Sequence, residues 1–274
     1  MGVTPSPAGQ RPRLIATDLD GTFLRSDGSV SERTARTWAA LADRGIETVL
    51  VTARPPRWMH NLIHVVGRHG LAICGNGAFV YEVQSRRVLE SHVFESGLVA
   101  DLLADLRAAI PTVHLATETA GGAFFEDGWP HSYFETAITY TPRGRTEALL
   151  LSPVGKLLAL APGTPTEEFL ETVREVVGER GGLAYSGALG LAEISPVGVT
   201  KAAALERWAG RHDIAAEQVW AFGDMPNDLP MIEWAGVGVA VANAHPDVLA
   251  VADVVAPSND DDGVAATVEP LLTD

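Results

Sequence analysis

The most constraining feature of the chain is a rhythm of short apolar runs, each ending in a polar residue and then giving way to a helical pattern. Leu14-Ile15-Ala16-Thr17 stops at Asp18. Thr48 to Val51 stops at Thr52, and Leu71 to Cys74 stops at Gly75-Asn76-Gly77. Runs of four or so apolar residues between turn residues read as buried strands. Between the first two, Ser31 suits an N-cap, and Ala35, Trp38, Ala39 and Ala42 recur at helical spacing up to Gly45. Pro55 and Pro56 suit the first turn of a helix with a face of Trp58, Leu62 and Val65 or Val66. Strands alternating with helices require crossover connections and hence a parallel, Rossmann-like α/β sheet. In such sheets ligands bind beyond the carboxyl ends of the strands, where Asp18 and Thr52 stand.

The rhythm breaks in the middle of the chain. A hairpin is expected over Phe79 to Phe94, and Leu98, Leu102, Leu106 and Ala109 mark an amphipathic helix. Strand-like pieces follow at Val113 to Ala116 and Ala123 to Phe125, then an aromatic turn region from Asp127 to Tyr140 and an apolar piece from Lys156 to Leu160. A helix over Thr166 to Arg180 ends at Gly181-Gly182. From Ile194 the alternation returns. A helix spans Thr200 to Arg211, with strands at Val219 to Phe222, Val237 to Val241 and Val254 to Ala256, and helices near Asp228 to Trp234, Pro246 to Ala250 and from Val264. These readings give an α+β cap at about 92–186, inserted into a discontinuous core of 12–91 and 187–274, with 1–11 as a tail too poor in apolar residues to order itself. A chain of 274 residues accommodates two such units at roughly 150 residues each.

Charge narrows the partners. Twenty Lys and Arg stand against 35 Asp and Glu, a formal net charge of −15, which disfavours nucleic acid and anionic membrane surfaces. A small phosphorylated metabolite remains open, because a bound cation can reverse the field within one pocket. No run approaches a membrane span, the beginning of the chain lacks a signal-peptide core, and Cys74 is the only cysteine. A cytoplasmic address is expected. No pattern in the chain bears on oligomeric state.

Two clusters carry chemistry. In Asp18-Leu19-Asp20-Gly21-Thr22, two carboxylates stand two apart after a buried strand, so in extended chain both face one pocket. One can attack phosphorus while the other passes a proton to the leaving oxygen; an acidic turn has the same look. Gly223-Asp224-Met225-Pro226-Asn227-Asp228 follows another strand, and a single helix cap accounts for only one of its polar groups. Oxygen ligands from two strand ends suit Mg²⁺. Lys201 opens a helix, where the macrodipole gives a cation no help.

Taken in order, Asp18-Leu19-Asp20-Gly21-Thr22, Thr52-Ala53-Arg54, Lys201 and Gly223 to Asp228 resemble the four motifs of the haloacid dehalogenase superfamily of phosphatases. The insertion between the second and third motifs is similar to the Cof-like class IIB branch. So are Gly75-Asn76-Gly77-Ala78, Glu193 to Lys201, and Ser258 to Ala265. The resemblance implies Asp18 as nucleophile forming an aspartyl-phosphate, and Asp20 as general acid and then base. It implies Mg²⁺ held by Asp18, the main-chain carbonyl of Asp20, and Asp224. Asp228 would support the metal's water shell and Lys201, Thr52 and Lys201 would bind the transferring phosphoryl group, and Asn227 would assist. Sugar phosphates lead as substrates, with nucleotide or cofactor phosphates next. A phosphohexomutase, a glycosyl-phosphoglycerate phosphatase and a non-catalytic sugar-phosphate-binding regulator are the alternatives. The chain departs from the pattern at Ala53 and Ala202, where glycine is usual. Arg54 reads equally as a substrate contact or an ion-pair partner.

Other residues read more plainly. Cys74 is expected to be a buried thiol. His60 and His64 lack a third metal ligand. Lys156 reads as an exposed strand residue with substrate contact as the minor alternative. Asp127, Trp129, His131 and Tyr133 read as a packed turn from which one or two residues could select substrate. Asp260 to Asp262 read as a solvated loop.

Overall fold

The computed structural model describes residues 11–66, 70–129, 143–144, 150, 152–186 and 190–273. Among these, strands β1 (Leu14–Thr17), β2 (Glu47–Val51), β3 (Leu71–Cys74), β4 (Phe79–Glu82) and β5 (Arg87–Ser91) come first. A second set is β6 (His114–Thr119), β7 (Gly122–Glu126), β8 (Arg143–Gly144), β9 (Val154–Leu160), β10 (Gly182–Ala184) and β11 (Leu191–Ser195). The last are β12 (Val219–Gly223), β13 (Val237–Val241) and β14 (Val254–Ala256). The first and last sets form one sheet in the order β14-β13-β12-β1-β2-β3-β4-β5. It is parallel from β14 through β3 and antiparallel at β4 and β5. The fold is thus the expected α/β core with a parallel sheet.

The strand alternation explains the two-sided core. Leu14 and Ala16 of β1 pack with Leu205 and Trp208 of helix α4 (Lys201–Arg211). Ile15 faces the other way, toward Trp38 and Leu41 of helix α1 (Glu32–Asp43). A strand buried on both faces has to read as a continuous apolar run, which is why these were conspicuous. Ser31 caps α1 as expected, accepting from the Thr34 N–H.

The middle set forms a second sheet, β10-β11-β9-β6-β7-β8, antiparallel apart from the β7–β8 pair. Helices α2 (Leu98–Ala109) and α3 (Thr166–Val177) cover one face, where Leu102, Leu106, Phe169 and Val173 meet Leu115, Leu157, Ala159 and Ile194. The strand Leu191–Ser195 belongs here, against β9, so this sheet runs past the expected boundary at 187. A strand leading into a helix looks the same in either sheet; only its pairing partner decides. The remaining helices are α5 (Leu229–Trp234), α6 (Pro246–Val251) and α7 (Gly263–Val268).

Two further expectations change. The segment after Pro55 is a 3₁₀ turn, Pro56–Leu62, instead of a longer α-helix. Met59, Leu62 and Val65, buried along this segment, are three apart, the period of a 3₁₀ helix. The α-helix begun at Thr166 ends at Val177, and a single 3₁₀ turn carries it to Arg180. In the acid run Asp260 and Asp261 are exposed, as expected of a solvated loop, while Asp262 pairs with Arg25 at 2.9 Å and Asp260 accepts from Ser26. No helix among the described residues is long and apolar enough to cross a membrane.

Candidate active site

Three loops at the carboxyl ends of neighbouring strands meet over the sheet. The chain leaves β1 with the Asp18 N–H still bonded to Phe222 O on β12, so Asp18 is fixed beside the Gly223–Asp224 turn. It then bends at Gly21, whose φ of +80° favours glycine, and a Cβ there would overlap the Asp224 carboxylate. Thr22 donates to Asp224 Oδ1 at 2.8 Å, locking the two loops together. Thr200 caps α4, accepting from the Ala203 N–H, and so sets Lys201 at the first helical position.

Lys201 Nζ lies 2.5 Å from Asp18 Oδ1 and 2.7 Å from Asp228 Oδ1, and all three side chains are buried. Burial pulls the ammonium pKa down, but Asp18 and Asp228 outweigh it, so Lys201 stays charged. Asp18 is also raised, but for a different reason. Burial raises it well above the carboxylate range, Lys201 offsets part of that, and Asp228 and Asp224 add to it. Asp224 is pushed up to about 7, by burial first and by Asp228 next. One ammonium therefore serves three buried carboxylates.

That charge excess makes the pocket fit for a cation. Oxygens of Asp18, Asp224 and Asp228 lie within 4.8 Å of one another, an all-oxygen set suited to a hard divalent ion such as Mg²⁺. Asp228 is the least free of the three. Its Oδ2 accepts from the N–H groups of Asp224 and Met225, and its Oδ1 from Lys201. Asp18 and Asp224 are the better direct ligands, with Asp228 bracing Lys201 and the turn.

A pH dependence follows. A carboxyl raised from 3.8 to about 7 holds its proton in the folded state over that window and has lost it in the unfolded chain. Metal-free protein should therefore lose stability as pH rises from about 4 to about 7. In chelator, Asp224→Asn should be increasingly stabilised relative to the original chain between pH 5 and pH 8, read from urea midpoints. A difference that stays constant with pH would contradict this.

A cavity of about 240 Å³ opens above these groups, and Asp18, Asp20, Arg54, Lys201 and Asn227 line it. Asp20 is exposed in the cavity wall and is gripped by Arg54 through two bonds of 2.5 and 2.7 Å. Arg54 is thus an ion-pair partner that also borders the cavity. Thr52 is fully buried, accepts from the Arg54 N–H at 3.0 Å, and stands behind the wall. Asn227 donates to Asn76 Oδ1 at 3.2 Å. Asn76 sits at φ +56° in the Gly75–Gly77 turn. The alanine at 53 brings no backbone strain, since its φ is not positive.

The second sheet supplies the roof. Lys156 is buried instead of exposed, and with Glu118, Leu158, Leu191 and Glu193 it faces the cavity. Strand alternation puts them on one face, but Glu118 and Glu193 sit in apolar strands far from Lys156 in sequence, so only the pairing register reveals the group. Asp127 is exposed and Trp129 packs against Phe125, both away from the cavity wall. His131 and Tyr133 lie outside the described residues. Cys74 is buried, which pushes its thiol pKa up and keeps it inert. His60 contacts the Tyr81 hydroxyl at 2.5 Å.

The haloacid dehalogenase-like hydrolase family model matches residues 15–268. The chain belongs to this family. The hydrolase is 29% identical over 265 residues to a 5-amino-6-(5-phospho-D-ribitylamino)uracil phosphatase, YitU, of Bacillus subtilis, covering 93% of this chain and 96% of that one. It is 27% identical over 244 residues to an HMP-PP phosphatase of Yersinia enterocolitica, 86% of each chain. Its fold matches that of SMU.1108c from Streptococcus mutans with a TM-score of 0.84, at 24% identity and coverage of 96% and 100%. It matches the phosphatase BT1666 of Bacteroides thetaiotaomicron with a TM-score of 0.82, at 23% identity and 98% of each chain.

Proposed function

We propose that this hydrolase is a Mg²⁺-dependent phosphatase of small phosphate monoesters that works through an aspartyl-phosphate on Asp18. The observation that carries the reading is Lys201 Nζ held between Asp18 and Asp228 at 2.5 and 2.7 Å on the floor of a cavity whose wall holds Asp20. An Asp18 oxygen attacks phosphorus as the bond from phosphorus to the ester oxygen breaks. Asp20 gives its proton to the departing alcohol, then takes one from the water that cleaves the acyl phosphate. Asp20 suits this traffic because it is exposed to the cavity; one of its two oxygens has to leave Arg54 to carry the proton while the other stays bonded and keeps the direction of the carboxyl. Lys201 balances the charge on the transferred group, and the buried Thr52 keeps the 52–54 turn in place. Bound Mg²⁺, held by Asp18, Asp224 and the main-chain carbonyl of Asp20, would neutralise phosphate oxygens so that a carboxylate can approach an anion.

The cavity admits one small leaving group, and sugar phosphates lead. A cofactor-type phosphate bearing a ring is the second reading, favoured by the apolar side formed by Trp58, Leu158 and Leu191. The activities named for the two relatives point the same way. Purified protein should release phosphate from an aryl phosphate with Mg²⁺ and lose that activity in chelator. A metabolite panel then ranks the leaving groups. Equal rates with and without Mg²⁺ would remove the metal, and no release from any monoester would remove the phosphatase reading.

A further inference from the structure

Lys156 is a buried cation of the roof that this chemistry leaves without a task. Its Nζ donates to Glu193 Oε1 at 2.8 Å and to the main-chain carbonyl of Ala53 at 2.8 Å, and it faces Glu118 Oε2 at 3.3 Å. Two of its donors are in hydrogen bonds and its third side faces Glu118 as an ion pair, so two buried carboxylates already match its charge. Two of its partners are in its own sheet. The third, Ala53, belongs to the core and lies between Thr52 and Arg54. From there the line of contacts is short: the Arg54 N–H bonds Thr52 Oγ1, and the Arg54 guanidinium grips Asp20. A second core–cap contact runs alongside, from Arg57 to Glu118 Oε1 at 3.3 Å. Both contacts require the second sheet to be seated on the core.

We propose that Lys156 is a positioning residue: by holding the Ala53 carbonyl it fixes the Thr52–Arg54 turn and, through Arg54, aims Asp20 at the leaving oxygen once the cap is seated. The inference rests on the reading of Asp20 as the proton donor. It ties proton delivery to closure, so the acid is aligned when the alcohol it must protonate is enclosed. Glu118 and Glu193 hold the ammonium in place, and their charges keep it protonated despite its burial.

Leaving-group dependence separates this role from mere support of the cap. An aryl phosphate expels a stable phenolate and needs little protonation, whereas an alkyl phosphate expels an alkoxide and needs the acid. The ratio kcat/KM covers the steps through departure of the alcohol, so it isolates the donor role of Asp20 from its later role as base. In Mg²⁺-loaded full-length protein, Lys156→Met should lower kcat/KM for an alkyl phosphate by about tenfold or more while changing that for an aryl phosphate by less than about threefold. Lys156→Arg should restore most of the alkyl activity. In an Asp20→Asn background, Lys156→Met should cost little further on the alkyl ester, because the two act through one proton.

Removing Lys156 alone strands Glu193, so the charge-balanced Lys156→Met with Glu193→Met is made in parallel and carries the same expectation. Equal losses on both esters, or no loss on either, would overturn the inference while the phosphatase reading stands. A wild-type chain silent on both esters would overturn both.

Discussion

Replacing Asp18 with asparagine is expected to stop turnover of every phosphate ester, by about 10⁴-fold or more, while leaving the fold intact. The amide has the shape of the carboxyl but cannot form the acyl phosphate. The surroundings should tolerate it well. Asp18 is buried among Asp224 and Asp228 with Lys201 as the cation paired to it among the described residues, and its own ionisation is resisted first by burial and then by those neighbours. Asp18→Asn removes one negative charge and leaves the 2.7 Å pair of Lys201 with Asp228. The thermal midpoint should therefore stay at or above that of the original chain, and the difference should be greatest in chelator. Phosphate release and circular dichroism on the same preparation check both halves. Undiminished turnover would remove Asp18 as nucleophile. Lost turnover with a collapsed midpoint would mean that the carboxylate is needed for the fold.

What could be read from the chain depended on how far apart the partners lie. β3, β13 and β14 have the bounds that the apolar runs indicate, and α2 spans Leu98–Ala109 as its leucine spacing requires. These are local patterns of burial. Three of the four motif segments were legible because each follows a core strand, and a parallel sheet brings such ends together; Lys201 instead opens α4 after a strand of the second sheet. Lys156 was misread for the opposite reason. A single charge in a strand normally marks the solvent face, and nothing near it in sequence says otherwise. Its burial follows from cross-strand pairing that sets Glu118 opposite Lys156, and from a core carbonyl waiting at Ala53. The membership of Leu191–Ser195 in the second sheet was hidden in the same way, since it is a property of pairing with β9. Asn76 belongs to the Gly75–Gly77 segment read as part of the resemblance. Its bond to Asn227 joins residues 151 apart, a relation no local pattern carries.

Lys201→Met should damage stability as well as activity, and of the changes considered it should cost the most stability. The methionine fills the space of the aliphatic stem but leaves Asp18, Asp224 and Asp228 buried with no cation. Breaking a buried ion pair from one side typically costs about 3–5 kcal/mol. For a chain of this size each kcal/mol moves the thermal midpoint by roughly 2–4 °C, so a fall of about 10 °C is expected. Turnover should fall by about 10³-fold, because the transferred group loses a preorganised charge. The sign of the pH dependence identifies the cause. Without Lys201 the carboxyls rise further above their unfolded values, so the folded state holds more protons and the deficit shrinks as pH is lowered from 8 toward 5. Lys201 itself, raised by Asp18 and Asp228, stays fully charged throughout that range in the original chain and adds no slope there. Added Mg²⁺ should narrow the stability deficit, since it supplies a cation to the same carboxylates, yet leave most of the turnover lost, since it cannot replace a donor at the position of Nζ. A deficit independent of both pH and Mg²⁺ would show that Lys201 serves packing alone, and that the negative excess around it is balanced elsewhere.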